Sequence, residues 1–156
     1  MAKLKRIQNA SDAATACPQN SRNFRHGASI FKGNKLIIST HNDIYRTVCG
    51  GNVYCSMHAE FSALHKLIVM STMHAERVHT IRRKMKKLKI YTARDDLNAN
   101  GKPCSDCIKH LLSVGLTKIY YAIDGYIEKL NVQSTRSSKA NVKNKQIVRF
   151  VPLLKK

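Results

Sequence analysis

Hydrophobic residues recur every three or four positions in four parts of the chain, which places them on one face of an α-helix. The predicted helices lie within residues 1–23, 57–68, 71–87 and 104–114. The first ends at Cys17-Pro18, because proline disfavours helical geometry in the residue before it. Ser56 is a candidate cap for the second, and Gly115 is predicted to stop the fourth. The third is strongly basic.

Short runs of β-branched, aromatic and other apolar residues predict the strands. These runs are residues 28–31, 36–40, 88–92, 118–123, 126–132 and 146–154. Gly33-Asn34 joins the first two runs and Asp124-Gly125 joins two later ones, so each pair is predicted to be an antiparallel hairpin. The order of helices and strands predicts an α/β fold with a mixed sheet.

Three segments are predicted to be loops. Residues 41–54, which contain Gly50-Gly51, form a loop of more than a dozen residues, a length typical of functional or mobile segments. Residues 94–102 form a polar loop. Residues 133–145 are rich in Ser, Lys and Asn and are predicted to be a mobile basic loop.

Length and composition limit the class of protein. The 156 residues are 43% hydrophobic, which predicts a single domain over 1–156 with a real core. No apolar run approaches the length that spans a bilayer. The basic start, Met1 to Arg6, lacks a following apolar stretch, so it does not resemble a secretory signal. We therefore expect an intracellular protein, cytoplasmic or nuclear.

The net charge indicates a class of partner, the polyanions. Twenty-eight Lys and Arg residues against nine Asp and Glu residues give a net charge of +19. Such a chain attracts polyanions such as nucleic acid, and salt weakens the attraction. The alternative is an effect on solubility with no specific partner. With only ten Phe and Tyr residues and no Trp, the sequence shows no aromatic row for stacking successive bases.

Two fragments carry residue types that bind metal ions, His58-Ala59-Glu60 and Pro103-Cys104-Ser105-Asp106-Cys107. Each is predicted at a helix N-terminus, where the partial positive charge favours the thiolate form of cysteine. The two cysteines are three positions apart and face one side of their helix, and the histidine can add a nitrogen ligand. Three protein ligands leave the fourth tetrahedral position open, which is the pattern of a catalytic zinc.

Glu60 lies two positions after His58, which turns its carboxylate away from the direction of the ligand. Zinc lowers the pKa of a bound water molecule to about 7, so Glu60 could take up the proton and return it to a ring nitrogen and to leaving ammonia. The sequence also contains His74-Ala75-Glu76, but a basic stretch follows this copy and no glycine-rich turn precedes it.

The two fragments reproduce the H-x-E…P-C-x-x-C signature of zinc nucleobase deaminases. From about Phe24 to Ile123 the chain resembles the cytidine deaminase superfamily. The resemblance implies a three-layer α/β/α fold around a mixed five-stranded sheet. It also implies that Glu60 is the catalytic proton shuttle and that one Zn²⁺ is held by His58, Cys104 and Cys107.

The same resemblance implies an activity and its substrate contacts. The expected reaction is zinc-dependent hydrolytic deamination of a cytosine nucleoside or nucleotide to the uracil product, with release of ammonia. Asn42, at the end of the second strand, and Ala59 are the expected substrate-binding residues. Many relatives are dimers or tetramers, so we expect a homo-oligomer.

Two features of the resemblance favour different substrates. In cytidine deaminases proper the last two strands form an antiparallel hairpin, which Asp124-Gly125 predicts here. Those enzymes usually have Cys where this chain has His58, and His is commoner in deaminases of deoxycytidylate, tRNA or polynucleotides. A nucleic-acid-directed deaminase and a basic nucleic-acid-binding protein that retains the fold therefore stay as alternatives.

The other cysteines and histidines leave further alternatives open. Cys55 or Cys49 could close the zinc site and make it structural, although Glu60 would then be unexplained. Cys49 and Cys55 could also hold a second, structural zinc with His41 and Cys17, but free thiols are the favoured interpretation. We expect the remaining histidines to be ordinary surface or boundary residues; they are His26, His65, His79 and His110.

Overall fold

The computed structural model describes residues 2–18, 25–43, 47–49, 52–54, 57–72 and 78–131. Its helices are α1 (Ala2–Thr15), α2 (Ala59–Thr72), α3 (Val78–Met85) and α4 (Ser105–Ser113). Its strands are β1 (His26–Lys32), β2 (Lys35–His41), β3 (Thr47–Cys49), β4 (Asn52–Tyr54), β5 (Leu88–Arg94), β6 (Ile119–Ile123) and β7 (Tyr126–Lys129). Across these ranges, the helices are all too short or too polar to cross a bilayer.

Five strands form one mixed sheet in the order β2-β1-β5-β6-β7. Strand β1 is antiparallel to both β2 and β5, whereas β5 and β6 are parallel and are connected through α4. Strands β6 and β7 are antiparallel, as Asp124-Gly125 predicts. Both residues have positive φ, 49° for Asp124 and 74° for Gly125, which suits the two-residue turn of a hairpin. The structure confirms the mixed five-stranded α/β fold.

Helices cover both faces of the sheet because side chains alternate along each strand. Phe31 and Tyr91 face α1 and pack with Ile7. Their neighbours Ile30 and Ile90 face the opposite side, in the larger core cluster. That cluster takes buried residues from the other three helices, among them Leu64, Ile81 and Leu111. The result is the three-layer arrangement that the resemblance implies.

Helix α1 lies unusually close to β1 at Gly27. A Cβ atom on Gly27 would lie 1.8 Å from the backbone oxygen of Ala10 and 2.7 Å from the backbone nitrogen of Ala14. Because both are backbone atoms, a side chain could be accommodated only if the helix moved away. The missing side chain of Gly27 therefore sets the distance between the helix and the sheet.

Some boundaries differ from the sequence-based predictions. The prediction of one long loop over residues 41–54 is wrong in part, because β3 and β4 form a short antiparallel pair there. The sequence does carry a signal for it, since Gly50-Gly51 separates two β-prone runs. Strand β7 ends at Lys129, three residues before the predicted end. The predicted basic loop 133–145 and the predicted strand 146–154 lie outside the described residues.

Candidate active site

Helices α2 and α4 bring the two metal-binding fragments together. His58 directly precedes α2, and Cys104 is the N-terminal cap of α4. The two helices are in contact, with the ring of Phe61 packed edge-on against His110 at a centroid distance of 5.2 Å. Residues separated by more than 40 positions in sequence thus meet at neighbouring helix N-termini.

The three expected ligands have the spacing of a zinc site. The Nδ1 atom of His58 lies 3.4 Å from the Sγ of Cys104 and 3.4 Å from the Sγ of Cys107. The three ligand atoms all lie within 4.8 Å of one another. In a tetrahedral zinc site, bonds of about 2.0 Å to nitrogen and about 2.3 Å to sulfur separate these atoms by roughly 3.5 Å. The distances therefore fit Zn²⁺, and within the described ranges the group has three members, as a catalytic site requires.

The start of α4 is built to present two sulfur atoms. Cys104 is extended, with φ −67° and ψ 162°, and its sulfur accepts a hydrogen bond from the backbone N–H of Cys107 at 3.4 Å. Cys107 is buried, and burial raises the pKa of its thiol far above the ordinary value, with further contributions from the charges of Glu60 and Cys104. A bound divalent cation reverses this effect and stabilises the thiolate. The Cys107 thiol therefore has to lose its proton when an ion binds.

Glu60 is almost completely enclosed, with 1% of its surface exposed. Its Oε1 lies 3.7 Å from the Nδ1 of His26, whereas its Oε2 is buried and has no hydrogen-bond partner within the part of the chain that is described. Burial acts to raise the pKa of Glu60, but the nearby His26, a backbone hydrogen bond and the charge of His58 outweigh it and leave the pKa below its ordinary value. Glu60 is therefore a carboxylate with one available oxygen.

His26 is part-buried, as expected for a boundary position, but it also contacts Glu60, which the sequence did not predict. The structure places this histidine at the start of β1, with 17% of its side chain exposed, against the carboxylate of Glu60. Sequence reasoning missed it because 34 positions separate the two residues, and no motif connects them. Of the other histidines, His79 is exposed, and His65 and His110 are half-buried, as expected for surface and boundary positions.

Asn42 and Ala59 lie beside these groups but already make contacts within the protein. The side-chain oxygen of Asn42 accepts a hydrogen bond from the backbone N–H of His26 at 2.8 Å. The backbone oxygen of Ala59 accepts one from the hydroxyl of Thr40, also at 2.8 Å. Two backbone hydrogen bonds between Asp43 and Met57, of 2.7 and 2.8 Å, tie the end of β2 to the segment that carries the histidine ligand.

The alternatives that involve other cysteines are only partly within the described residues. The Sγ of Cys17 lies 3.4 Å from the backbone oxygen of Asn42, and the Nδ1 of His41 lies 2.9 Å from the same oxygen. The side chains of Cys49 and Cys55 lie outside the described residues. A second zinc and a fourth protein ligand at the first site therefore stay predictions.

A known protein family matches most of the chain. The family described as the cytidine and deoxycytidylate deaminase zinc-binding region matches residues 2–123, which is most of the chain. The matched segment contains all three residues of the metal-binding group and Glu60. Among curated proteins, no sequence matches the chain significantly.

Proposed function

Because this chain belongs to the cytidine and deoxycytidylate deaminase zinc-binding family, we propose that it hydrolyses the exocyclic amine of a cytosine nucleoside or nucleotide. The products are the uracil compound and ammonia. The observation that carries the proposal is the buried Oε2 of Glu60, which has no partner among the described residues and lies on a side chain two positions from a metal ligand. A structural zinc site has no use for such a carboxylate.

Each residue of the site has a defined part in this reaction. His58, Cys104 and Cys107 would hold Zn²⁺, which supplies an activated water molecule for hydrolysis. Glu60 takes a proton from the attacking water at Oε2 and delivers it to the ring nitrogen. The new C–O bond forms at the carbon that bears the amine, and the C–N bond then breaks as the remaining proton of the attacking water, passed on by Glu60, reaches the amine, which leaves as ammonia. One water molecule is consumed and one ammonia is released.

Two residues are proposed to bind the substrate. The backbone N–H of Ala59 lies in the first turn of α2, where amides lack an intrahelical acceptor, so it can donate to a base oxygen. The side-chain oxygen of Asn42 accepts a hydrogen bond from the backbone N–H of His26. The side-chain NH₂ group of Asn42 is then left to donate to a sugar hydroxyl. The antiparallel pairing of β6 with β7 supports a free nucleoside as substrate, whereas a histidine at position 58 supports a nucleotide.

The charge of +19 supports a second candidate, a deaminase directed to nucleic acid. Part of this charge lies on α3, which carries Arg82, Arg83 and Lys84 in its last turn. A third candidate is a basic nucleic-acid-binding protein that keeps the fold without activity. The complete set of metal-binding residues with the buried Glu60 disfavours the third.

A substrate panel separates these candidates. Purified protein with zinc is incubated with cytidine, deoxycytidine, their 5′-monophosphates and a cytosine-containing oligonucleotide, and ammonia is measured. Glu60→Gln with its zinc content verified is the matched control. We expect release from at least one monomeric substrate and none with the variant. Reaction of the oligonucleotide alone would favour the second candidate, and nucleic-acid binding without any effect of Glu60→Gln would favour the third.

A further inference from the structure

The two oxygens of Glu60 are in different environments. Oε1 faces the imidazole of His26 at 3.7 Å, while Oε2 has no hydrogen-bond partner in the described part of the molecule. A carboxyl group with no fixed partner could rotate and present either oxygen to the reacting atoms. The contact with His26 distinguishes the oxygens, because it draws one of them towards β1 and leaves the other available.

His26 is itself firmly held. Its backbone N–H donates to the side-chain oxygen of Asn42 at 2.8 Å, and its backbone oxygen accepts from the N–H of Asn42 at 2.9 Å. On its other side, His26 is paired with Arg94 of β5. The imidazole therefore projects from a backbone that is fixed by both neighbouring strands.

The other groups that interact electrostatically with Glu60 are expected metal ligands. The charge of His58 helps to lower the pKa of Glu60, and the charge of Glu60 helps to raise the pKa of the Cys107 thiol. His58 and Cys107 both belong to the metal-binding group. Their ligand atoms are committed to the ion when it is present. His26 is the described side chain that pairs with Glu60 and does not belong to that group.

We propose that His26 is a positioning residue that binds Oε1 of Glu60 and thereby keeps Oε2 directed at the substrate. This inference rests on the proposed function, because it assigns His26 a part in the same proton transfers. His26 does not touch the reacting atoms in this role. Its removal should slow the chemical step more than it weakens substrate binding.

The kinetic test compares two substitutions of His26. His26→Asn keeps an N–H donor close to the position of Nδ1, whereas His26→Leu keeps volume and removes the donor. We expect His26→Leu to lower kcat by about 10- to 100-fold, the usual cost of removing a supporting contact, with KM changed by no more than about threefold. His26→Asn should restore kcat to within about fivefold of the wild-type value. The matched control is His79→Leu, at an exposed position of α3, which should leave both constants unchanged.

Zinc content of each variant is determined by mass spectrometry, since a positioning role leaves the metal in place. Wild-type kcat in His26→Leu would overturn the proposal. Equal losses in His26→Leu and His26→Asn would also overturn it, because the donor would then be irrelevant.

A second measurement is independent of turnover. The ring ¹⁵N signals of His26 are recorded by NMR in the wild type and in Glu60→Ala, with His79 as the internal reference. We expect the Nδ1 signal of His26 to shift while that of His79 does not. An unchanged His26 signal would overturn the inference whatever the activity. If the His26 signal shifts but the protein deaminates no cytosine compound, the contact between His26 and Glu60 is supported and the proposed function is rejected.

Discussion

Asn42 and His26 hold each other through two hydrogen bonds, one from each backbone N–H, of 2.9 and 2.8 Å. One of them ends on the side-chain oxygen of Asn42, so a residue expected to bind substrate also supports the strand that carries His26. These two tasks use different atoms of the same amide, the oxygen for His26 and the NH₂ group for the substrate. They can therefore be separated by mutation.

Asn42→Asp should affect substrate binding more than catalysis. The aspartate retains an oxygen acceptor for the N–H of His26 but loses the NH₂ donor. We expect KM to rise by about tenfold, the equivalent of one lost hydrogen bond, and kcat to stay within a few-fold. Asn42→Ala removes both contacts and should lower kcat as well. Steady-state kinetics of the two variants check this, and identical KM and kcat values for them would contradict it.

Removal of zinc should destabilise the protein reversibly. A ligand present at about 1,000 times its Kd stabilises the folded state by about 4 kcal/mol, so a strong chelator should lower the free energy of unfolding by a similar amount. Cys107→Ser should lose the ion, whereas the buried control Cys17→Ser should retain one zinc per chain. Metal analysis and urea unfolding measure both effects. More than one zinc per chain in the wild type would instead support the second site at Cys49 and Cys55.

Zinc uptake should weaken as the pH falls. Burial raises the pKa of the metal-free Cys107 thiol, so a proton must leave before the sulfur can bind the ion. Protons therefore compete with zinc, and the competition is stronger at lower pH. Competition titrations with a zinc-binding dye between about pH 8 and pH 6 should show a rising Kd for zinc. A Kd that is constant over this interval would contradict the assignment of Cys107 as a ligand.

Gly27→Ala should be among the more destabilising changes in the fold. The added Cβ would overlap the backbone of Ala10, so α1 must shift away from β1. We expect a loss of about 3 kcal/mol, at the upper end of the usual cost of overpacking. The control is Gly33→Asn, because Gly33 has φ +61° but open space around it, and asparagine tolerates this conformation. Urea unfolding that gives equal stabilities for Gly27→Ala and the wild type would contradict this account.

The stability that the β6–β7 hairpin contributes should depend on pH in the alkaline range. The hydroxyl of Tyr121 donates to Glu128, its cross-strand partner, at 2.5 Å. This hydrogen bond, followed by burial and the carboxylate charge, raises the pKa of Tyr121 above its ordinary value. A raised pKa means that the contact stabilises the fold below about pH 10 and is lost as the pH rises through the folded value. Phenolate absorbance should therefore appear at lower pH in Glu128→Gln than in the wild type.

Much of the fold can be predicted from the sequence, because the patterns that indicate its helices and its last hairpin involve residues close together in the chain. Helical periodicity predicts α1, α2 and α4, and Asp124-Gly125 predicts the last hairpin. The spacing of Cys104 and Cys107 also acts locally, within a single turn of α4. The prediction of a loop over residues 41–54 was wrong in part because strands as short as β3 and β4 carry too few residues for a clear pattern.

The sequence by itself determined the chemical identity of the metal ligands and of Glu60, since these depend on residue types at short spacings. Tertiary structure alone decided that His26 meets Glu60 and that Gly27 meets the backbone of Ala10. Both contacts join residues that are distant in sequence, and they exist because the sheet fixes where each strand begins relative to the helices packed on its two faces. Such relationships leave no periodic signal in the chain, because they depend on the packing of whole elements.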